Sequence, residues 1–207
     1  MSNTSSKVRE TALTAVLAAI ILLMAFTPLG YLRLGPMSIT LLVIPVVIGG
    51  MTLGPIRGGF LGAVFGATSL AQCFMGDLTG AAMFSANAVG TVIACFVPRI
   101  LIGVVAGLLF PFLMKVLGKS KSAIAFIGTA VAGTLTNTVF FVTLVVAFFK
   151  DSVLGGGSFW AIFVTFFSVN VAVELIVGVV ASAALSAVLD RFVLHTAKRQ
   201  TVQSSAQ

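Results

Sequence analysis

Residues 123–149 read AIAFIGTAVAGTLTNTVFFVTLVVAFF and contain no charged side chain. The hydrocarbon core of a bilayer is about 30 Å thick, and about 20 apolar residues in an α-helix cross it. The run is continuous and does not alternate between apolar and polar residues, so it predicts a membrane-spanning helix and not a barrel strand. We therefore expect the chain to fold as an all-α membrane helix bundle.

The composition of the 207-residue chain extends this prediction to the whole sequence. Hydrophobic residues make up 59% and charged residues 8%, whereas soluble domains carry roughly 45 to 50% and about 25%. The net charge of +7 does not indicate a nucleic-acid partner, because the basic residues are scattered at the ends of apolar runs. We expect a multi-pass protein of the cell membrane, with the lipid bilayer as its main solvent.

Breaks in the apolar pattern divide the chain into six predicted transmembrane helices. The predicted spans are 10–26, 38–53, 60–71, 98–117, 123–149 and 159–189. A loop is expected after the first span, because helix-breaking residues cluster there: Pro28, Gly30, Gly35 and Pro36. Segment 81–96 is apolar and rich in small residues, and we predict a partial helix or an outer loop there instead of a seventh crossing.

The distribution of lysine and arginine sets the predicted orientation. With the N-terminus inside, most basic residues face the cytoplasm, as the positive-inside rule requires: Lys7, Arg9, Arg57, Lys115, Lys119, Lys121, Arg191, Lys198 and Arg199. A seventh crossing at 81–96 would move the lysines of 115–121 outside. The prediction is one six-helix substrate-binding domain, residues 10–192, between cytoplasmic tails at 1–9 and 193–207.

No motif in the sequence predicts covalent chemistry. The chain lacks a Gly-rich loop ending in Gly-Lys-Ser/Thr, so we do not expect it to hydrolyse a nucleotide itself. His195 lies beyond the last predicted span, without a neighbouring carboxylate or cysteine. Cys73 and Cys95 have no metal-ligand spacing. We expect no enzymatic activity, no cofactor and no metal site.

Polar residues inside the apolar runs are candidate ligand contacts, because they are costly in lipid and tend to face a cavity or another helix. Asn170 and Glu174 are four residues apart and share a face of the sixth predicted span. Asn137 lies near the middle of the fifth. Hydrogen bonding between helices is the alternative role for each of them.

Three further candidates lie toward the predicted outer surface. Arg99 follows Pro98 at the expected start of the fourth span, where an anion from outside would meet a planar bidentate donor. A snorkelling interface anchor is the alternative. Tyr31 is a second candidate, and an aromatic belt explains it equally well. Asn87, in segment 81–96, adds another hydrogen-bonding group.

Small residues recur at helical spacing in two predicted spans. Ala15 and Ala19 form an alanine stripe in the first span, and Gly58, Gly62 and Gly66 form a glycine stripe that runs into the third. Such stripes permit the close approach of another helix. Each stripe serves either internal packing or the docking of a membrane partner.

The sequence resembles the substrate-binding S components of energy-coupling factor (ECF) vitamin transporters over about residues 8–199. The resemblance rests on length, six predicted spans, basic cytoplasmic ends, the alanine stripe, and the stretches GPMSIT at 35–40 and LGPIRGGFLGAVFG at 53–66. It implies a chain that binds one vitamin under an outer lid, here residues 29–38. Uptake would require a transmembrane coupling subunit, docked at Ala15 and Ala19, and two ATPase subunits.

The loop and second span are most similar to pantothenate-type members. Pantothenate is an anion with hydroxyls and an amide, which suits Arg99 for its carboxylate and Asn137 and Asn170 for its polar backbone. Glu174 would repel an anion unless it is paired or remote, and it favours a neutral or cationic ring. Pyridoxine, hydroxymethylpyrimidine or riboflavin specificity stays open, as do a self-sufficient small carrier and a membrane scaffold.

Overall fold

A computed structural model of the chain describes residues 2–27, 30–34, 37–75, 78–118 and 122–149. These residues form helices and one β-hairpin. In chain order the elements are α1 (Ser2–Ala25), β1 (Tyr31–Leu34), β2 (Met37–Thr40), α2 (Val43–Leu53), α3 (Pro55–Phe74), α4 (Leu78–Ala86), α5 (Ala88–Leu117) and α6 (Ser122–Phe149). The predicted sixth span, with Asn170 and Glu174, lies outside the described residues.

Three of the described helices are long and apolar enough to cross a membrane: Lys7–Ala25, Ala88–Leu117 and Ser122–Phe149. The helical body agrees with the predicted membrane helix bundle in this coarse form. The all-α expectation misses the hairpin, in which β1 and β2 are antiparallel and Tyr31 pairs with Thr40. The tetrapeptides YLRL and MSIT are too short to form helices between the breakers, and they pair with each other instead.

The boundaries of α5 correct the predicted fourth span. The span was expected to begin at Pro98, whereas α5 begins at Ala88 and continues through both Pro98 and Pro111. Asn87 caps its start, because the Asn87 side-chain oxygen accepts a hydrogen bond of 2.9 Å from the N–H of Gly90. Neighbouring helices support a proline inside a membrane helix, so the proline does not mark the helix start. Segment 81–96, where a partial helix or an outer loop was expected, is instead divided between α4, which ends at Ala86, and the first turns of α5.

Helix α3 packs on α5 through the glycine stripe. A Cβ atom on Gly62 would collide with the carbonyl group of Arg99, and one on Gly58 would collide with that of Gly103. Higher numbers in α3 meet lower numbers in α5, so the two helices run in opposite directions. The stripe of Gly58, Gly62 and Gly66 therefore serves internal packing, which decides between the two roles that its spacing left open.

The body has two distinguishable ends. At the hairpin end, α1 and α3 finish close together, and the side-chain amide of Gln72 donates a hydrogen bond of 2.8 Å to the carbonyl of Ala25. At the turn end, α2 passes into α3 through Gly54, whose φ of 88° lies in the left-handed region that favours glycine. An ion pair of 2.9 Å between Arg57 and Glu10 links α3 to α1 at this end.

Candidate substrate-binding site

Arg99 lies in the interior of the protein and not at the start of a helix. Its exposure is 8%, and its position is about 16 Å along α5 from Ala88 at the helical rise per residue. A snorkelling anchor would extend its charged group to the membrane interface, so burial within the protein contradicts that alternative. The expected location at the outer start of the span is also wrong, because α5 begins before Pro98.

Two phenylalanine rings cover the Arg99 guanidinium. Its central carbon lies 4.7 Å from the ring centroid of Phe141 in α6 and 5.4 Å from that of Phe65 in α3. Phe65 is fully buried. A cation–π contact is worth about 0.5 to 2 kcal/mol, and its value rises as the contact is desolvated. The rings therefore stabilise the charge of Arg99 without accepting conventional hydrogen bonds.

The hydrogen bonds of the guanidinium are incomplete within the described part of the chain. One terminal nitrogen, Nη1, donates to the carbonyl oxygen of Ala94 at 2.7 Å. The Nε atom of Arg99 is buried and has no hydrogen-bond partner among the described residues. Leaving a buried donor unsatisfied costs about 1 to 3 kcal/mol, and more for a charged group. An acceptor that reaches Nε would therefore bind favourably.

The described residues offer Arg99 no carboxylate. Glu10 is the one acidic residue among them, and it pairs with Arg57 at the turn end. The other acidic residues of the sequence lie outside the described ranges: Asp77, Asp151, Glu174 and Asp190. The buried charge of Arg99 is thus not balanced by an anion within the part of the chain that the structure describes.

Asn137 is a buried polar residue of α6. It is 6% exposed and precedes Phe141 by four residues, so both lie on one helix face. Phe141 is the residue whose ring covers Arg99. The neighbouring hydroxyl of Thr136 donates to the carbonyl of Ala132 in its own helix at 2.7 Å. Asn137, a second predicted ligand contact, therefore lies one helical turn along α6 from the ring that covers Arg99.

The other predicted contacts lie elsewhere or outside the described residues. Asn87 caps α5 at the hairpin end, where its side-chain oxygen already accepts one hydrogen bond. Tyr31 lies in β1 of the hairpin. Asn170 and Glu174 are not among the described residues. A direct role in substrate binding stays a prediction for all of these residues.

Phe65 and Phe141 belong to the candidate site through their contacts with Arg99, and neither was predicted from the sequence. The chain contains 18 phenylalanines, and nothing in their spacing distinguishes these two. Their contact with Arg99 arises because α3 and α6 both pack on α5. Such a contact between distant segments leaves no local signal in one sequence.

The alanine stripe lies on the surface of the described body. Ala15 and Ala19 are exposed, whereas Ile21 and Ala25 of the same helix are 0% and 2% exposed and join the core. The exposed face of α1 also carries large apolar side chains, such as Leu23 at 69% exposure. In a membrane protein this surface faces lipid or another subunit, and it takes no part in packing among the described helices.

Several apolar helices of membrane-spanning length define the chain as a multi-pass membrane protein. Residues 9–189 match the family model of the ECF transporter, substrate-specific component, and the chain belongs to this family. Membership confirms the resemblance noted in the sequence. The protein is a multi-pass transporter component of the cell membrane and not an enzyme.

Two relatives are similar to the chain over nearly its whole length. The pantothenic acid transporter PanT of Lactococcus lactis subsp. cremoris is 27% identical over 197 residues, which cover 90% of this chain and 96% of that protein. The pantothenate transporter PanT of Leuconostoc mesenteroides subsp. mesenteroides is 32% identical over an alignment of 209 residues, which covers 91% of this chain and 95% of that protein.

Proposed function

We propose that this chain is the vitamin-binding subunit of an ATP-driven importer and that its substrate is pantothenate. The main support for this proposal is that Arg99 is a buried cation without a carboxylate partner among the described residues. Burying a charge is costly unless it is paired with an opposite charge. In this proposal the carboxylate of pantothenate supplies that opposite charge. The names of both relatives support the same substrate.

The proposed pose follows the chemistry of the ligand. Arg99 binds the carboxylate, and a bidentate arginine pair provides both energy and orientation. Asn137 and Asn170 bind the amide and the polar backbone, since an asparagine both donates and accepts hydrogen bonds. Glu174 accepts hydrogen bonds from the hydroxyls at the opposite end of the molecule, where its repulsion of the ligand carboxylate is weakest.

Residues near the hairpin end complete the proposed site. Residues 29–38, which include β1 and Tyr31, form the lid over the ligand, and Asn87 contributes a polar group below it. We infer that this end faces outside and that both termini are cytoplasmic, since most basic residues then lie inside. The binding domain in this proposal spans residues 10–192.

The energy for uptake comes, in this proposal, from other subunits. The chain has no nucleotide-binding motif of its own, so two ATPase subunits act through a transmembrane coupling subunit. Exposed Ala15 and Ala19 form the docking surface, because small side chains let a second helix approach closely.

The deciding experiment is equilibrium binding by the purified, detergent-solubilised chain. Isothermal titration against pantothenate, pyridoxine, hydroxymethylpyrimidine and riboflavin is expected to give saturable binding of pantothenate alone. Preferential binding of a neutral or cationic ring would overturn the proposed substrate.

A flux measurement in proteoliposomes tests the division of labour. The chain alone is expected to move no pantothenate, and uptake is expected only with the coupling subunit, both ATPases and ATP. Transport by the chain alone would instead identify a self-sufficient carrier. If the chain shows neither binding nor transport, the scaffold role is the remaining alternative.

A further inference from the structure

The residue before Arg99 explains how its side chain is held. In an α-helix, the N–H of residue 98 would donate to the carbonyl of residue 94, but proline has no N–H. The Ala94 carbonyl of α5 is therefore left without its usual helix partner. The structure fills this position with Nη1 of Arg99, which donates to the Ala94 oxygen at 2.7 Å.

This bond sets which edge of the guanidinium remains for a ligand. A guanidinium binds carboxylates through paired N–H groups in a fixed planar fork. Nη1 of Arg99 is used by the backbone, whereas Nε is buried with no hydrogen-bond partner among the described residues. Nε and Nη2 form one edge of the planar guanidinium. Through this edge an arginine can donate two parallel hydrogen bonds to a carboxylate.

The aromatic contacts restrict the remaining freedom of the group. The Phe141 and Phe65 rings lie 4.7 Å and 5.4 Å from the central carbon of the guanidinium. Because Phe65 and Pro98 are both fully buried, this part of the enclosure is fixed by the protein core. Without such contacts, a side chain as long as arginine loses considerable rotamer entropy when a ligand fixes its conformation.

We propose that Pro98 is a positioning residue for substrate binding: it frees the Ala94 carbonyl to anchor Arg99, with Phe141 restraining the guanidinium for side-on capture of a carboxylate. The inference rests on the proposed function and deepens it. In this inference the site prefers carboxylates because the Arg99 guanidinium is held in its binding position before the ligand arrives. A preorganised group loses less entropy when it binds.

Pro98→Ala tests the anchor directly. The alanine restores an N–H that competes with Arg99 for the Ala94 oxygen, and pantothenate affinity is expected to fall about tenfold, the effect of one hydrogen bond of about 1.4 kcal/mol. Pro111→Ala is the matched control, because it makes the same change at an exposed position of the same helix. It is expected to bind pantothenate like the unaltered chain.

Panthenol, in which a hydroxymethyl group replaces the carboxylate, separates positioning from general loosening. Pro98→Ala is expected to lower the affinity ratio of pantothenate to panthenol about tenfold, with panthenol binding itself unchanged. An equal loss for both ligands would mean that the substitution only disturbs the fold. An unchanged ratio, with or without a loss of affinity for both ligands, would therefore overturn the inference.

Phe141→Leu provides a second test that leaves the backbone of α5 intact. It removes the ring over Arg99 and is expected to reduce the pantothenate to panthenol ratio by roughly fivefold, as expected for a partly desolvated cation–π contact. Phe140→Leu is the control, because Phe140 is adjacent and 44% exposed. Equal effects of the two substitutions would overturn the restraining role of Phe141.

Failure of the inference is distinguishable from failure of the proposed function. If the unaltered chain does not bind pantothenate, the proposed substrate is wrong. If it binds pantothenate and Arg99→Ala abolishes that binding, but Pro98→Ala behaves like Pro111→Ala, only the positioning role is wrong.

Discussion

Two arginines of this chain lie in opposite electrostatic environments. Arg57, at the turn end, forms a 2.9 Å ion pair with Glu10, and its side chain is 28% exposed. Arg99, in the interior, is 8% exposed and contacts a backbone carbonyl and two aromatic rings. The paired arginine links two helices, whereas the buried one has no carboxylate partner among the described residues. In our proposal the same type of side chain serves structure in one region and recognition in the other.

The largest expected effect is the loss of binding when Arg99 is truncated. Removing one partner of a buried charge pair costs about 2 to 5 kcal/mol, so Arg99→Ala is expected to raise the Kd for pantothenate at least about 30-fold. Arg57→Ala, the matched substitution, is expected to change Kd less than about threefold, because its partner is Glu10. Isothermal titration of both purified variants measures the difference.

Arg99→Lys separates charge from geometry in the same assay. Lysine keeps the charge but lacks the planar fork, so affinity is expected to fall between those of the unaltered chain and Arg99→Ala. Equal losses for Arg57→Ala and Arg99→Ala would remove the functional distinction between the two arginines.

The second prediction concerns the surface of α1, the helix that Arg57 holds through Glu10. Replacing Ala15 and Ala19 together by leucine is expected to abolish co-purification of the coupling subunit, because bulky side chains prevent close helix approach. Pantothenate binding should not change, because both alanines are exposed and outside the interior site. Co-expression followed by affinity purification and titration measures both properties.

Ala147→Leu is the control for this experiment. Ala147 is also exposed, but it lies on α6, and its substitution is expected to leave the complex intact. Normal assembly of the Ala15 and Ala19 double variant would exclude the alanine stripe as the docking surface.

The third prediction addresses the packing that supports Arg99. Gly62→Ala would force a Cβ atom against the Arg99 carbonyl, and overpacking of this kind costs about 1 to 3 kcal/mol. A lower thermal unfolding temperature is expected, together with weaker pantothenate binding because α5 shifts. In Gly128→Ala the new methyl would lie 3.4 Å from Leu113, an ordinary contact, so little change is expected. Equal unfolding temperatures for the two variants would contradict the described helix contact.

The helices were more predictable than the site because a helix depends on neighbouring residues, whereas the site depends on contacts between segments that are distant in sequence. The span predicted at 123–149 and the observed α6, Ser122–Phe149, nearly coincide, since charged residues border an unbroken apolar run. The start of α5 was mispredicted because a proline inside a membrane helix has the same local appearance as one at its beginning. Local pattern therefore identifies spans better than it identifies their ends.

Candidate contacts could be selected from the sequence, whereas their environment could not be predicted. Arg99 and Asn137 attracted attention because polar groups are rare in apolar runs. The burial of Arg99 depends on Gly62 and Phe65 of α3 and on Phe141 of α6. These contacts join segments far apart in sequence, and hydropathy carries no information about which segments meet.

The smallest expected effect is on the stability of the turn end. Glu10→Gln removes the carboxylate that pairs with Arg57, and Glu10 is 47% exposed, so the loss in unfolding free energy is expected to be at most about 1 kcal/mol. The difference from the unaltered chain should shrink as salt is raised, because exposed charges are screened. Arg9→Gln, which removes an exposed charge from the same helix, is the control in thermal unfolding. A large loss that persists in high salt would mean that the pair at the turn end is as critical as the interior arginine, and the contrast between the two regions would then fail.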